Sequence, residues 1–398
     1  MALTPPAAAL AQILDATSAG VAATETVPLT AALGRYIATD IDSPIDVPPW
    51  ANSAMDGYAL RVADLAEGRA LPVVQRIAAG QAGAPLLPGT AARIFTGAPL
   101  PAGADAVAMQ EDCQLLDGAV QVAVPLRAGA NTRPRGDDIR LGARLAARGD
   151  RLDAVQLALL ASVGIEQLPL YRPLRVTILS SGDELVEPGQ PLAPGQIYNS
   201  NRVLLSGLLR QAGFDVVDGG IVPDTAAATE AALRRAAEGA DCVISSGGVS
   251  AGEEDHVRAT LQRIGELQLW KLAIKPGKPL AFGRLGAIPF FGLPGNPASA
   301  FVTFLLLARP FLLKRQGASL LSLPRLRLPA AFDWPRAGTR QEYLRARLQP
   351  TDSGLAVAIY PNQSSGVLTS AAWADALVEI APGATVVAGE MVEVLRLV

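Results

Sequence analysis

Two lysines held between prolines are the first feature of this sequence that suggests chemistry. Lys275 and Lys278 stand in the string Lys-Pro-Gly-Lys-Pro, where the prolines stiffen the chain and the glycine permits a turn. Two ammonium groups fixed in this way are point charges that suit a phosphate or another oxyanion. Solvated surface lysines are the alternative, but solubility alone gives no reason to place them between prolines. A third lysine, Lys271, lies just upstream on a predicted strand.

A run of serines and glycines could bring backbone N–H groups close to the same anion. Residues 245–248 (Ser-Ser-Gly-Gly) follow an apolar strand predicted at 242–244 and precede a helix predicted at 253–264. Glycine lets the backbone approach a phosphate, and the helix N-terminus behind it adds positive charge. The string is not a P-loop, because no Gly-Lys-Ser/Thr follows at the required spacing. A tight strand-to-helix turn would explain the same string equally well.

Carboxylates follow predicted strands at three further points. Glu184, Asp224 and Asp255 each lie at a strand end or just past one. Mg²⁺ takes one or two carboxylates together with phosphate oxygens and water, so these residues could hold a metal-bound pyrophosphate. Helix capping or a turn is the alternative for Glu184 and Asp224, and a carboxylate early in a helix, as at Asp255, is favourable in any case. His256 has no partner histidine or cysteine, so a surface or interface role fits it better than general-base catalysis.

The elements that would position these groups alternate between strand and helix from Tyr171 onwards. This alternation predicts a parallel sheet covered by helices on both faces, and ligands of such sheets bind beyond the carboxyl ends of the strands. The sequence therefore predicts an anion site at that edge, to which the turn at 292–299 also contributes. The predicted strands are 174–179, 215–222, 242–244, 267–274, 280–283 and 288–291, and the predicted helices are 199–212, 225–239, 253–264 and 297–309.

The rest of the chain predicts three further units. The first is discontinuous, with an amphipathic helix at 7–17 that packs against a second helix at 153–163. Short strands with an Asp117-Gly118 hairpin signal predict an inserted β domain, and short strands without helices after Gly317 predict a C-terminal β domain. The fold is thus an α/β multidomain fold with one doubly wound domain. The predicted domains are 1–46 with 127–170, 47–126, 171–316 and 317–398.

Composition narrows the class of protein. Hydrophobic residues make up 50% of the 398, but the longest apolar run, 298–308, is broken by Arg309-Pro310 and is shorter than the ~20 residues that a bilayer requires. Cys113 and Cys242 lie far apart without metal-ligand spacing, which argues against a disulfide framework and a Cys/His zinc site. A net charge of −3 argues against a nucleic-acid surface. We expect a cytoplasmic protein that binds small molecules and neither nucleic acid nor membrane.

Seven strings form an ordered set that is specific although each string alone is weak. They are Asn-Ser-Ala-Met-Asp-Gly-Tyr at 52–58, Ile-Phe-Thr-Gly-Ala-Pro at 94–99, Arg-Gly-Asp-Asp-Ile at 135–139, Ser-Ser-Gly-Asp-Glu-Leu at 180–185, Ser-Ser-Gly-Gly-Val-Ser at 245–250, Ile-Lys-Pro-Gly-Lys-Pro at 274–279 and Leu-Pro-Gly-Asn-Pro at 293–297. Together they resemble the MoeA family, the molybdopterin molybdotransferases, to which the C-terminal domain of gephyrin is related. The flanking lengths extend the resemblance over the whole chain. Where the family often has tyrosine, this chain has His256.

The resemblance implies a reaction and an assembly. Adenylylated molybdopterin and molybdate would give molybdenum cofactor and AMP, with a divalent cation that is usually Mg²⁺. The third domain would be MogA-like. The protein would be an elongated homodimer whose cleft lies between the α/β domain of one subunit and the β insertion of the other. Other cofactor-biosynthesis proteins and molybdoenzymes are the further partners that we expect.

The residue patterns point to the lysines, the carboxylates and the glycine loop described above, whereas the roles of Asp56, Thr96, Asp138, Ser299, Arg345 and Ser365 are implied by the resemblance. By residue type alone, Asp56 and Thr96 could be turn residues only. Catalytic roles are predicted for Asp56, Thr96, Glu184, Lys271 and Lys275, and metal binding for Asp224, Asp255 and Glu184. The predicted cofactor-binding positions are Asp138, Ser245, Ser246, Gly247, Gly248, Ser250, Lys278, Pro294, Gly295, Asn296, Ser299, Arg345 and Ser365.

Two rival functions stay open on the sequence. A molybdopterin adenylyltransferase of the MogA type would use the same α/β domain but would normally lack the β insertion and the C-terminal β domain. A non-catalytic molybdopterin-binding scaffold would have no reason to keep the carboxylates and lysines.

Overall fold

The N-terminal part of the chain forms one helix and then a series of short strands. The computed structural model describes residues 3–17, 22–66, 69–248, 256–352 and 354–397. The elements as far as residue 171 are α1 (Pro6–Asp15), β1 (Thr24–Pro28), β2 (Ile41–Asp42), β3 (Asn52–Ser53), β4 (Gly57–Leu60), β5 (Leu71–Ile77), β6 (Ala91–Ile94), β7 (Ala106–Met109), β8 (Cys113–Leu116), β9 (Ala119–Val122), β10 (Thr132–Arg133), β11 (Arg144–Ala146), α2 (Ala154–Ser162) and β12 (Gln167–Tyr171), with 3₁₀ turns at Leu29–Ala31, Val62–Asp64 and Gln110–Asp112.

The predicted packing of α1 against α2 is wrong. α1 buries Ala9 and Ile13 in the core that it shares with the α/β sheet, and the Lys314 ammonium donates to the Leu14 carbonyl at 2.8 Å. α2 buries Leu160 in a separate core. Apolar periodicity shows that a helix has a buried face, but it does not show which neighbour covers that face. The domain boundaries given above stay a prediction.

The strands β4 to β9 form one six-stranded sheet, in the order β7-β4-β6-β5-β9-β8. Its neighbouring strands are antiparallel except for the parallel pair β5–β6. β8 and β9 meet at Asp117 and Gly118, whose φ angles are 45° and 83°. Two central residues with positive φ are what a primed hairpin turn requires, so the hairpin prediction is confirmed.

The alternation of strands and helices predicted from Tyr171 is confirmed. α3 and α4 begin at side-chain caps, because Asn199 accepts from the backbone N–H of Arg202 and Thr225 accepts from that of Ala228, each at 3.3 Å. The elements are β13 (Arg175–Ser181), β14 (Leu185–Val186), β15 (Ile197–Tyr198), α3 (Ser200–Gln211), β16 (Asp215–Val222), α4 (Ala226–Ala237), β17 (Cys242–Ser246), α5 (His256–Ile264), β18 (Glu266–Lys271), β19 (Ile274–Lys275), β20 (Pro279–Leu285), β21 (Ile288–Leu293), α6 (Pro297–Thr303) and α7 (Arg309–Gln316).

The central sheet is mixed rather than wholly parallel, contrary to the prediction. Its order is β16-β13-β17-β21-β20-β18, and the first four strands are parallel. β20 is antiparallel to both β21 and β18. Gly286 and Ala287 alone connect β20 to β21, and a connection of two residues joins only antiparallel strands.

The single strand predicted at 267–274 is two strands, β18 and β19. The chain turns between them, where Thr4 donates to the Lys271 carbonyl at 2.8 Å and accepts from the Ala273 N–H at 2.7 Å. The second of these strands leaves the central sheet and pairs in parallel with β23 (Gln341–Thr351) of the C-terminal sheet. The sequence signal was continuous because both strands are apolar.

α6 and α7 form one continuous helix through a π segment at Phe304–Ala308, so the predicted break at Arg309-Pro310 is wrong. Pro310 lies in the first turn of α7, directly after the π turn, where its missing N–H is tolerated. The segment Pro297–Gln316 is 20 residues long and apolar enough to cross a bilayer, but 78% of its most apolar window is buried. We interpret it as a core helix. It ends at Gly317, whose φ is 85°.

The C-terminal part forms a second sheet, in the order β19-β23-β25-β26-β22 with β24 paired to β23. The short strands predicted in this part, at 343–348, 355–359, 376–380 and 391–395, are confirmed, and β22 was not predicted. The short helix α8 contradicts the prediction that helices stop after Gly317. The elements are β22 (Arg325–Pro329), β23 (Gln341–Thr351), β24 (Gly354–Ile359), α8 (Leu368–Trp373), β25 (Ala376–Ile380) and β26 (Met391–Arg396).

Candidate functional site

A cleft of about 1440 Å³ lies where the central sheet meets the C-terminal sheet. It opens beyond the carboxyl ends of β13, β17 and β21, the edge at which α/β sheets bind ligands. Twelve of the predicted site residues line it. They are Glu184, Asp224, Ser246, Gly247, Gly248, Lys275, Lys278, Pro294, Gly295, Asn296, Ser299 and Ser365.

The loop that carries Lys275 and Lys278 (residues 275–279, the lysine loop) lies at this edge of the sheet. The strand direction that places it there was not evident from the sequence. We predicted that the loop follows a strand of the parallel sheet, but it precedes β20, which runs antiparallel. The start of an antiparallel strand lies at the same edge as the ends of its parallel neighbours. Gly277 makes the turn with a φ of 109°, and a Cβ there would lie 2.5 Å from Thr303 Cγ2. The loop therefore packs directly against α6.

The glycine loop at 247–248 approaches its surroundings too closely for any other residue. Gly247 and Gly248 have φ angles of 86° and 67°. A Cβ on Gly247 would lie 2.6 Å from the Ser181 carbonyl oxygen. Ser246 is buried, and its hydroxyl accepts a hydrogen bond from Asn201 Nδ2 at 2.8 Å. This bond fixes the position of the hydroxyl. The Gly247 N–H donates to the Leu293 carbonyl at 3.1 Å and ties the loop to β21, so Gly248 is the glycine whose N–H could meet a ligand in the cleft.

One predicted residue in this part of the chain, Ser245, does not line the cleft. The hydroxyl of Ser245 is buried and donates to the Gly247 carbonyl at 3.2 Å, inside the loop. Ser250 and Asp255 lie outside the described residues. His256 is the first residue of α5 and is half-buried.

Two carboxylates of the cleft, Glu184 and Asp224, come from neighbouring strand ends. Asp183, which was not predicted, accepts from the backbone N–H of Asp224 at 3.1 Å and so ties the two loops together. Gly182 leaves room for the Glu184 side chain, since a Cβ there would lie 2.3 Å from Glu184 Oε2. Among the described residues, no group of three His, Cys, Asp or Glu side chains is placed to hold a metal ion.

The three predicted lysines lie in different surroundings. Lys275 Nζ lies 3.0 Å from Glu342 Oε2 and 5.9 Å from the centroid of the Trp334 ring. Lys278 has no ion-pair partner within the described part of the chain and is exposed to the cleft. Lys271 ends β18 with an exposed side chain and does not line the cleft, so the structure does not support its predicted place in the site.

The N-terminus of α6 contacts the C-terminal part of the chain at the cleft. Asn296 occupies the N-cap position, but its side chain does not cap the helix and instead donates to Ser365 Oγ at 3.2 Å. The Ala298 N–H donates to the Ser365 carbonyl at 3.0 Å. Ser365 thus satisfies part of the helix N-terminus from the far side of the cleft.

Arg345 lies behind the cleft rather than in it, contrary to the prediction of a binding role. Its side chain is fully buried and donates to Ser370 Oγ at 3.0 Å, to the Ser364 carbonyl at 3.1 Å and to the Tyr343 carbonyl at 3.4 Å. Burial lowers the pKa of its guanidinium to about 10. Since Ser364 lines the cleft, Arg345 supports the loop that forms this wall.

The predicted residues of the β insertion and the loop after it do not line the cleft of their own chain. Asp56 Oδ1 accepts from both the N–H and the hydroxyl of Thr96, each at 2.8 Å, and these two bonds lower the pKa of Asp56. Arg93 stacks over Tyr58 beside them, 5.1 Å from the ring centroid. Asp138 is exposed in the loop that follows the insertion.

Three residues of the cleft wall and one residue behind it were missed by the sequence analysis. Asn199 and Asn201 are buried, and Asn199 Nδ2 and Asn201 Oδ1 have no partner. Asn199 could have been found only as a helix cap, which is one of its roles here. Arg340 lines the cleft, and Glu342 lies behind Lys275. No local pattern distinguishes these two residues from other charged residues of a strand.

Comparison with known proteins finds three family models along the chain. "MoeA N-terminal region (domain I and II)" matches residues 4–164, "Probable molybdopterin binding domain" matches 177–314 and "MoeA C-terminal region (domain IV)" matches 327–397. The molybdopterin molybdenumtransferase of Haemophilus influenzae is 47% identical over 296 residues, which cover 74% of this chain and 73% of the relative. The enzyme of the same name from a Nostoc species is 41% identical over 304 residues, covering 74% and 70%.

Solved structures give the same result for the fold. The MoeA protein of Pyrococcus horikoshii is similar over 100% of both chains, with 33% identity and a TM-score of 0.83. A second structure from that organism has 28% identity and a TM-score of 0.85, and covers 99% of this chain and 100% of its own. The α/β multidomain fold predicted from the sequence is therefore confirmed, with a central sheet that is mixed instead of parallel.

Proposed function

The chain belongs to the MoeA family and acts in molybdenum cofactor biosynthesis as a molybdopterin molybdenumtransferase, and we propose that its substrates are adenylylated molybdopterin and molybdate. The products are the molybdenum cofactor and AMP. In this reaction water cleaves the pyrophosphate linkage of the adenylylated substrate so that AMP leaves, and the two dithiolene sulfurs of the pterin replace oxygens of molybdate, which leave as water.

One observation supports these substrates above all others. A single cleft joins a glycine loop, two carboxylates and the two lysines of one stiff loop. Backbone N–H groups and lysines suit phosphate and a tetrahedral oxyanion, while carboxylates suit a cation that accompanies phosphate. A cleft of about 1440 Å³ also has room for a ligand larger than a simple nucleotide.

We propose Glu184 and Asp224 as ligands of Mg²⁺, with Asp255 as the third predicted ligand. The two described carboxylates come from adjacent strand ends and face one cleft, and Asp183 holds the Asp224 backbone next to its own loop. Two carboxylates leave the other coordination positions to phosphate oxygens and water, which is the usual arrangement for Mg²⁺. When bound, the cation would neutralise charge that develops on the pyrophosphate as its linkage breaks.

The other residues of the cleft bind and orient. Gly248 directs its backbone N–H at a phosphate, and its positive φ angle makes this approach possible, whereas the Gly247 N–H already donates to the Leu293 carbonyl at 3.1 Å. Lys278, which is exposed to the cleft, attracts molybdate and the departing phosphate. Lys275 donates to the same anions from a position that Glu342 fixes. Ser299 and Ser365, on opposite walls, supply hydroxyl groups to the substrate.

We propose that the protein is a homodimer in which Asp56, Thr96 and Asp138 complete the cleft of the partner subunit. Within one chain, these residues do not line the cleft, although the pKa of Asp56 is lowered and Thr96 orients its carboxylate. Large apolar side chains that are more than half exposed are available for an interface. They include Leu33, Val155, Val203 and Leu320, each 61–77% exposed.

We further propose a cytoplasmic location and transient contacts with other cofactor-biosynthesis proteins and molybdoenzymes. The substrate is a labile small molecule that must be received from one enzyme and passed to another. The net charge of −3 gives no reason to expect nucleic acid as a partner.

The test is AMP release from purified adenylylated molybdopterin with Mg²⁺, measured with and without molybdate. We expect molybdate-dependent AMP that appears in step with active molybdenum cofactor. Synthesis of adenylylated molybdopterin from ATP would instead indicate the adenylyltransferase. Tight binding of the nucleotide without cleavage would indicate the scaffold.

A further inference from the structure

Lys275 and Glu342 face each other across a junction between the two sheets. β19 pairs in parallel with the first residues of β23, which places Lys275 opposite Glu342 and Ile274 opposite Gln341. The Gln341 N–H donates to the Ala273 carbonyl at 2.9 Å. The register of these strands therefore fixes the distance between the ammonium and the carboxylate.

Glu342 is buried on one side of this ion pair, and Lys275 is open to the cleft on the other. The side chain of Glu342 is 5% exposed and that of Lys275 is 46% exposed. Gly338 provides the space behind the carboxylate, because a Cβ there would lie 2.3 Å from Glu342 Oε1. A buried carboxylate beside a lysine both restrains the ammonium and offsets its charge.

The second loop lysine has no such restraint within the described part of the chain. Lys278 lies three residues further on and lines the same cleft, but it forms no ion pair with a described carboxylate. Arg340 adds a third cation to this wall and donates to the Ile274 carbonyl at 3.1 Å. This wall thus carries three cations, Lys275, Lys278 and Arg340, and the buried carboxylate of Glu342 pairs with the first of them.

We propose that Glu342 is a positioning residue for this reaction: it holds the Lys275 ammonium against the cleft wall and limits the affinity of the cleft for a tetrahedral oxyanion. This role rests on the proposed function, because it assigns the substrate oxyanion to the lysine loop. Glu342 touches no substrate itself. It acts through Lys275, whose remaining N–H donors point away from the pair.

Glu342→Gln tests two effects of the carboxylate: its restraint on the Lys275 ammonium, which is read from kcat, and its negative charge, which is read from KM. The amide keeps the size and the acceptor of the side chain but removes the charge. Lys275 is then less restrained, so we expect kcat for AMP release to fall about 10-fold, as small misplacements of a contacting group do. The cleft also gains one net positive charge, so we expect KM for molybdate to fall about 2- to 5-fold, the range of a partly exposed ion pair. A residue with a purely structural role would not lower both constants.

The matched control is Glu379→Gln. Glu379 pairs with Arg325 at 2.9 Å on β25 of the same sheet, opposite Tyr343 and therefore on the other face from Glu342. It also accepts from Gln341 Nε2, and glutamine keeps that acceptor while removing the charge. We expect wild-type kcat and KM from this variant. A double variant, Lys275→Gln with Glu342→Gln, should have the same kcat as Lys275→Gln alone, because Glu342 acts only through the lysine.

A binding measurement makes the outcome independent of turnover. Tungstate is titrated into the full-length protein by calorimetry, and we expect Glu342→Gln to bind it about 2- to 5-fold more tightly than wild type. Equal constants for Glu342→Gln and Glu379→Gln, or multiplicative losses in the double variant, would overturn the positioning role. If the wild type releases no AMP, the proposed function fails, and the tungstate result alone decides on Glu342. If wild type releases AMP but does not bind tungstate, the oxyanion role of the lysine loop fails and the proposed function stands.

Discussion

Thr96 donates its backbone N–H and its hydroxyl to one oxygen of Asp56, at 2.8 Å each. The two bonds orient a carboxylate on the edge of the β insertion, outside the cleft of the same chain. An orienting pair of this kind is expected where a carboxylate must meet a ligand, and here the ligand would be bound mainly by another subunit.

Thr96→Val should raise the pKa of Asp56. Its carboxyl pKa is lowered chiefly by the Thr96 N–H and then by the Thr96 hydroxyl. Valine keeps the first bond and removes the second, so the pKa moves part of the way back towards that of free aspartate. Because a lowered carboxyl pKa keeps the group ionised to more acidic pH, the variant should lose the anion at higher pH than wild type does. A ¹³C NMR titration of the aspartate carboxyls checks this. Thr90→Val, whose hydroxyl bonds only to the Leu87 carbonyl, is the control.

Mixing two inactive variants should restore activity if the cleft is shared. Asp56→Asn damages the β insertion, and Asp224→Asn damages the α/β side. Random reassociation of equal amounts gives one intact cleft in each mixed dimer, so about a quarter of wild-type AMP release should return. Mixtures that stay inactive after refolding together, although the mixed dimer is present by native mass spectrometry, would contradict a shared cleft.

Gly247→Ala should damage the glycine loop, whereas Gly366→Ala should not. At Gly247, a Cβ meets the Ser181 carbonyl at 2.6 Å and the φ of 86° is unfavourable for alanine. We expect a loss of about 1–3 kcal/mol in the free energy of unfolding, together with much weaker nucleotide binding. Gly366 lines the same cleft and has nothing within 4 Å of its Cβ position. Urea denaturation and AMP titration of both variants measure the difference.

Arg345→Lys should destabilise the C-terminal domain by about 1–3 kcal/mol, because lysine cannot make the three separate bonds of the buried guanidinium. The loop at 363–366 should loosen, which would raise KM more than it lowers kcat. Arg347→Lys is the control on the same strand. Arg347 is exposed and donates one side-chain bond, to the Trp373 carbonyl at 2.8 Å. Equal thermal stability of the two variants would show that Arg345 is not a support.

The sequence predicted the parts of the molecule that depend on local patterns. The β-α alternation and the Asp117-Gly118 hairpin follow from spacing and residue type, and the structure agrees with them. Twelve predicted site residues also line one cleft: most of them follow strands that end at a common edge, whereas Lys278 precedes an antiparallel strand and Ser365 belongs to the C-terminal part.

The errors concern relationships between distant segments. Nothing local to Lys271 shows that its strand ends beside Thr4 rather than at the cleft, and nothing local to Arg345 shows that its guanidinium is buried under the loop at 363–366. The break predicted at Pro310 failed because the π turn before it removes the usual conflict of proline with a helix. The pairing of Lys275 with Glu342 depends on a strand register across 67 residues, which no periodicity encodes.

The short strand β19 has a mechanical consequence. Its two residues belong to the lysine loop by sequence and to the C-terminal sheet by hydrogen bonding. The position of the Lys275 ammonium at the cleft is therefore set by the C-terminal sheet as well as by the loop that carries the lysine. Two domains thus share the placement of one charge, and a substitution that disturbs the C-terminal sheet is felt at the cleft without touching any residue that lines it.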